Sequence, residues 1–159
     1  VIVSAVRTPI GTYKGSLKKI KSNQLGSIVI KEVLKKSKFD NDEVDEVIMG
    51  QVLTAGEGQN PARQAAVNAG IPISKPAYIV NQVCGSGLRA VISGFQSIRL
   101  GEAKSIISGG QENMSLAPHS IFYQDNKKIL KKHFIIHSMT QSIYLSQERS
   151  KVIQCIAKK

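Results

Sequence analysis

Apolar residues recur along the first two-thirds of this chain in two alternating periods, one of strands and one of helices. The run Val1 to Val6 is apolar and β-branched and reads as a strand, closed by the turn chemistry of Thr8-Pro9 and Gly11-Thr12. Leu25, Ile28, Val29, Val33 and Leu34 then share one face of a helix that Ser22 or Asn23 could cap. Asp40-Asn41-Asp42 makes a turn, and Val44 to Leu53 alternates enough for a second strand. Pro61 suits the first turn of a second helix, Ala62 to Ala69, which Gly70 and Pro72 end. A third strand, Ala77 to Val83, runs into a helix from Cys84 to about Leu100, with Leu88, Val91, Ile92, Phe95 and Ile98 at helical spacing. Ser105 to Ser108 is a fourth strand leading into Gly109-Gly110. Strand alternating with helix predicts an α/β fold, its sheet covered by helices on both faces.

Within this pattern, Cys84 falls between an apolar strand and an amphipathic helix, in the sequence Asn81-Gln-Val-Cys84-Gly-Ser-Gly-Leu-Arg-Ala90. Gly85 and Gly87 permit a sharp turn and the close approach of another molecule. A thiol at the mouth of a helix faces unpaired N–H groups and the positive end of the macrodipole, both of which favour thiolate. Cys84 is therefore a candidate nucleophile. The local pattern equally allows a small buried cysteine in a tight strand-to-helix turn.

The segment Asn81 to Ala90 resembles the nucleophile segment of the thiolases, in the form seen in biosynthetic acetyl-CoA acetyltransferases. Four further segments agree in the family's order: Val1 to Gly11, Gly50 to Leu53, Gly56 to Ala66, and Ser108 to His119. The resemblance covers about residues 1–120 and then fades. It implies the N-terminal portion of a thiolase: one of two similar βαβαβαββ halves, a mixed sheet with helices on both faces. Part of that half would come from chain returning after an inserted domain, so the sheet is expected to be incomplete, with an unpaired edge prone to aggregation. Residues 1–120 are then a partial thiolase N-terminal domain, and residues 121–159 a divergent tail, a remnant of the inserted loop domain.

The resemblance further implies that Cys84 carries an acyl-thioester intermediate in an acyltransferase that joins two acetyl-CoA into acetoacetyl-CoA, or runs in reverse, within fatty acid metabolism. Coenzyme A thioesters would be substrates, with no resident cofactor and no metal, and no coenzyme A-binding residue is recognisable. Gly56, Gly58, Asn60 and Arg63 resemble the family segment at the dimer interface near the nucleophile, which makes Gly56 to Ala66 the expected homo-oligomer contact. On local grounds these residues are a turn and a helix start. Asn81 and Gln82 either fix the nucleophile's backbone or satisfy buried turn groups. Glu112 and His119 fall in a family-like stretch without being the family's base, and His119 reads as structural.

Much of the family's remaining machinery is absent from the sequence. No Gly-His-Pro and no Asn-Glu-Ala-Phe occurs, and Cys155 is followed by Ile156-Ala157 rather than matching Cys-x-Gly. Claisen condensation needs a base near the donor methyl group and donors for the enolate. The chain is accordingly expected to be weak or inactive alone. It could be a non-catalytic fragment or a partner-dependent subunit, and a self-contained Cys84/His119 thioester hydrolase is a further alternative.

Composition adds bounds. The 159 residues suffice for one core. Two cysteines, Cys84 and Cys155, make no disulfide framework, and with no signal arrangement or long apolar run they point to a cytoplasmic, non-membrane protein. The net charge of +11 divides into +5 over residues 1–120 and +6 over residues 121–159. Lysine richness of this kind argues for a solvated face rather than a nucleic-acid surface. His133 and His137 could share a helix face, but no glutamate follows His133 and the metallopeptidase pattern fails. Ser146 and Glu148 suggest one more helix start.

Overall fold

The structure, a computed structural model, describes residues 1–121 and the strands Ile135–His137 and Ile153–Lys158. In chain order these form β1 (Ile2–Arg7), α1 (Ser22–Ser37), β2 (Glu46–Gly50), α2 (Pro61–Asn68), β3 (Ala77–Val80), α3 (Ser86–Leu100), β4 (Ser105–Gly110), β5 (His119–Ile121), β6 (Ile135–His137) and β7 (Ile153–Lys158). Among the described residues, five strands make one sheet in the order β1-β7-β4-β2-β3, and β5 pairs with β6. β2 is parallel to β3 and β4, and β7 is antiparallel to β1 and β4, so the sheet is mixed. A strand from beyond residue 120 enters this sheet. Ile153–Lys158 lies between β1 and β4, with Ser108 opposite Cys155 and Ala5 opposite it on the other side. The unpaired backbone groups then belong to the outer strands β1 and β3. His137 lies in β6, not on a helix, while His133, Ser146 and Glu148 are outside the described residues.

Alternation along the central strands assigns the two faces. Val47 and Met49 of β2, with Ile107 of β4, meet α1 and α2, and Ile48 and Ile106 meet α3. α1 contributes Leu25, Val29, Ile30, Val33 and Leu34. Full burial of each is worth roughly 1.5–3 kcal/mol, which outweighs the intrinsic propensities of this helix. Ile28, expected on that face, is 53 % exposed, and Ile30 takes its place. Lys21 is the N-cap residue, Gln24 accepting its backbone N–H, so Ser22 and Asn23 lie inside the helix.

α3 departs most from the expected pattern. Its buried positions are Ser86, Ala90, Gly94 and Ile98, spaced by four, whereas Leu88 and Phe95 are 68 % and 57 % exposed. Small residues allow the helix axis to approach the sheet. A Cβ on Gly94 would stand 3.2 Å from Ile106 Cγ2 and 3.3 Å from Ser108 Oγ. The helix thus turns its narrow stripe inward and its broad apolar stripe outward.

Candidate active site

β2, β3 and β4 end side by side, and the chain leaving β3 turns directly above them into α3. Register sets Gly50 beside both Val80 and Gly110. A Cβ on Gly50 would lie 2.3 Å from the Ser86 carbonyl carbon and 2.4 Å from the Gly87 nitrogen. One on Gly110 would lie 3.2 Å from Gly87 Cα. The first turn of α3 therefore rests on backbone, and glycine is required there by contact.

The turn itself is tied by short hydrogen bonds. Ser86 is buried, and its Oγ accepts the Gln82 N–H at 2.9 Å and donates to the Val83 carbonyl at 2.6 Å. Asn81 Oδ1 accepts the Val83 N–H at 3.0 Å. These bonds hold Val83 at φ +49°, a left-handed conformation that a β-branched residue adopts at a cost of about 1–3 kcal/mol. Cys84 follows immediately and is exposed, which removes the reading of it as a small buried residue. α3 begins at Ser86 with Gly85 as its cap, so Cys84 stands just outside the helix mouth, and the Gly85 and Ser86 N–H groups turn back to the Gln82 and Val83 carbonyls.

Of the residues expected to support Cys84, Asn81 acts through its side chain and Gln82 through its backbone N–H. Gly56 and Gly58 have φ of +75° and +80° in the loop between β2 and α2. Asn60, at φ +47°, accepts the Arg63 N–H and donates to the Ala77 carbonyl. Those residues form the turn and helix start that their local sequence suggests. His119 heads β5 opposite His137. Among the described residues, no group of three or more His, Cys, Asp and Glu could hold a metal ion, and no helix is long and apolar enough to cross a membrane.

Glu112 is the strongly perturbed group against the loop that follows β2. Its carboxylate accepts Val52 N–H at 2.8 Å and Leu53 N–H at 3.3 Å. Desolvation by burial nonetheless raises its pKa from 4.5 to about 7, opposed by the bonds from Val52, Leu53 and Asn113 and assisted by the like charge of Glu57. Because the folded carboxyl holds its proton more tightly than the unfolded one, its stabilising contribution is complete below about pH 4.5 and is lost as pH rises through about 7. Glu112→Gln is neutral throughout and should flatten that slope. Urea titrations from pH 5 to 8 should show the variant gaining up to about 3 kcal/mol relative to the parent.

The Thiolase, N-terminal domain, family model matches residues 1–152 of this chain. The chain belongs to the thiolase family. The acetyl-CoA acetyltransferase of Pseudomonas aeruginosa is 57 % identical over 119 residues, covering 75 % of this chain and 30 % of the relative. That of Paracoccus denitrificans is 50 % identical over 129 residues, 81 % of this chain and 33 % of the relative. The cytosolic acetyl-CoA acetyltransferase of Mus musculus is 55 % identical over 119 residues, 75 % and 30 %. The matched part thus spans about a third of these relatives' length. The family match runs past residue 120, where the motif resemblance fades, and stops just short of β7 of this thiolase chain.

Ser86, Val83 and Gly50 are site residues that sequence reasoning did not single out. Gly50 carried a signal, because a glycine closing one strand of a parallel pair often marks close approach by another segment.

Proposed function

We propose that this thiolase chain takes the acetyl group of acetyl-CoA onto Cys84 Sγ, as the first half of the condensation of two acetyl-CoA to acetoacetyl-CoA, or its reverse. The observation that carries the reading is an exposed cysteine at the mouth of α3, on a glycine-floored turn, in a chain that belongs to this family. In this step the Sγ–carbonyl bond forms, the bond from carbonyl carbon to coenzyme A sulfur breaks, and the departing thiolate takes up a proton. Coenzyme A thioesters are substrates here, not resident cofactors. A homo-oligomer joined through Gly56 to Ala66 and a cytoplasmic setting are further parts of the proposal, the latter supported by the mouse relative, a cytosolic acetyl-CoA acetyltransferase.

The second half-reaction needs a base for the donor methyl group, and the family's Gly-His-Pro and Cys-x-Gly motifs are absent from these 159 residues. Mixing the chain with acetyl-CoA should release coenzyme A in a burst of one equivalent per Cys84, without sustained acetoacetyl-CoA formation. Free coenzyme A, separated from the protein and quantified by chromatography, follows the burst, because acetylation consumes the Cys84 thiol as it releases the coenzyme A thiol. Absence of any burst from folded protein would remove the reading and leave a partner-dependent subunit or a fragment.

A further inference from the structure

We propose that Glu112 is a positioning residue for Cys84, acting through a backbone relay that runs from its carboxylate across the β2 loop to the nucleophile turn. The relay has three links. Glu112 Oε2 accepts the Val52 N–H at 2.8 Å, with both carboxylate oxygens sharing the Leu53 N–H at 3.3 Å. The Val52 carbonyl accepts from Asn81 Nδ2 at 3.5 Å. Asn81 Oδ1 in turn accepts the N–H of Val83, whose left-handed backbone delivers Cys84 to the surface. The proposal rests on the reading of Cys84 as the nucleophile.

Several features make this a device rather than incidental packing. Two neighbouring residues after β4 grip the same loop, because Gln111 Nε2 donates to Gln51 Oε1 while Glu112 holds the next two N–H groups. Gln51 Nε2 continues to Ser22 Oγ and the Leu53 carbonyl, and Ser22 Oγ donates to Glu57. The loop is therefore fixed from below at each of residues 51, 52 and 53. Its upper contact, the 3.5 Å link to Asn81, is the longest of the relay and the one most sensitive to small displacements. Val83 is the strained element, and a left-handed valine persists only where its surroundings over-determine it.

A carboxylate offers more acceptor sites to the Val52 and Leu53 N–H groups than a carboxylic acid does, so ionisation of Glu112 tightens the loop. The charged side chain that bears on it is Glu57, from the loop between β2 and α2, and its remaining donor is the Asn113 backbone. Burial raises Glu112 into the neutral range, so the tightening falls where it can be observed.

The test is the rate of Cys84 carbamidomethylation by iodoacetamide between pH 5.5 and 9, read on the Cys84 peptide by mass spectrometry so that Cys155 does not contribute. The parent should show an inflection near pH 7 in addition to thiol ionisation. Glu112→Gln should lose that inflection and react about fivefold to tenfold more slowly at pH 8, while gaining stability there. A merely structural role would not move reactivity and stability in opposite directions. Asn81→Ala, at an exposed position, should produce a similar slowing, and the double variant no more than the larger single effect. Glu112→Asp should keep the inflection. So should His119→Gln, which excludes the histidine on the same segment.

Superimposable pH profiles for parent and Glu112→Gln, or additive effects of the two variants, would overturn the relay. If Glu112→Gln does not fold, Asn81→Ala and Glu112→Asp decide the matter. Alkylation does not require acetyl-CoA. Failure of acetyl transfer with an intact alkylation profile would therefore count against the proposed function and not against the relay.

Discussion

Gly50→Ala is expected to cost about 3 kcal/mol or more and to displace the Cys84 turn. The added methyl group would meet the Ser86 carbonyl carbon at 2.3 Å, its oxygen at 2.5 Å and the Gly87 nitrogen at 2.4 Å, all of them backbone atoms. No rotamer change relieves a contact of that kind. Either the first turn of α3 lifts from the sheet or the end of β2 moves, and β2 is held between β3 and β4 by regular pairing. Overpacking of close-packed interiors typically costs 1–3 kcal/mol, and a backbone clash lies at the upper end of that range. A lift of α3 would also stretch the Ser86 bonds to Gln82 and Val83. Thermal unfolding should show a large drop in midpoint. Any folded fraction should alkylate Cys84 at a rate different from the parent. An unchanged midpoint would mean that β2 and α3 are not in direct contact through Gly50.

Cys84→Ser should reduce acetyl-CoA-dependent release of coenzyme A to the uncatalysed background. The substitution keeps shape and exposure, so the glycine floor and the Ser86 clasp are undisturbed. What changes is the proposed nucleophile: a thiol gives up its proton far more readily than a serine hydroxyl, which requires a base beside it. The hydrogen bonds of the turn act on Val83 and Gln82, and they fix backbone rather than remove a proton. A full burst from Cys84→Ser would place the acyl group on another residue. The stability of Cys84→Ser should match the parent within about 0.5 kcal/mol, as expected of an exposed side chain with no structural bond to lose.

The sequence made some of this legible and concealed the rest for identifiable physical reasons. The strand, cysteine, glycine and helix pattern located the turn, because strand and helix periods change across only a few residues. Helix boundaries shifted, with α3 starting at Ser86 rather than Cys84, because capping glycine and a left-handed valine extend the turn. The inward face of α3 is concealed for another reason. Leu88, Ile92 and Phe95 carry the larger apolar signal, but closeness to the sheet selects Ala90 and Gly94, and periodicity does not distinguish a narrow buried stripe from a broad exposed one.

β7 was hidden by its setting among lysines, although Ile153, Cys155, Ile156 and Ala157 form a short apolar run of strand length. The part played by Glu112 had no local signature. It depends on register, which sets Gly50 opposite Gly110 and so brings the two residues after each strand into hydrogen-bonding range. Gln51 and Gln111, both fully buried, follow the same logic as a polar pair linked at 2.8 Å.

The most direct test of the central claim is intact-mass spectrometry of the folded 159-residue chain after incubation with acetyl-CoA, followed by peptide mapping, with Cys84→Ser in parallel. A single acetyl adduct on the Cys84 peptide, removed by hydroxylamine and absent from the variant, is the predicted result. An unmodified parent chain, or an adduct that persists in Cys84→Ser, would contradict the assignment of Cys84 as the acyl-accepting nucleophile.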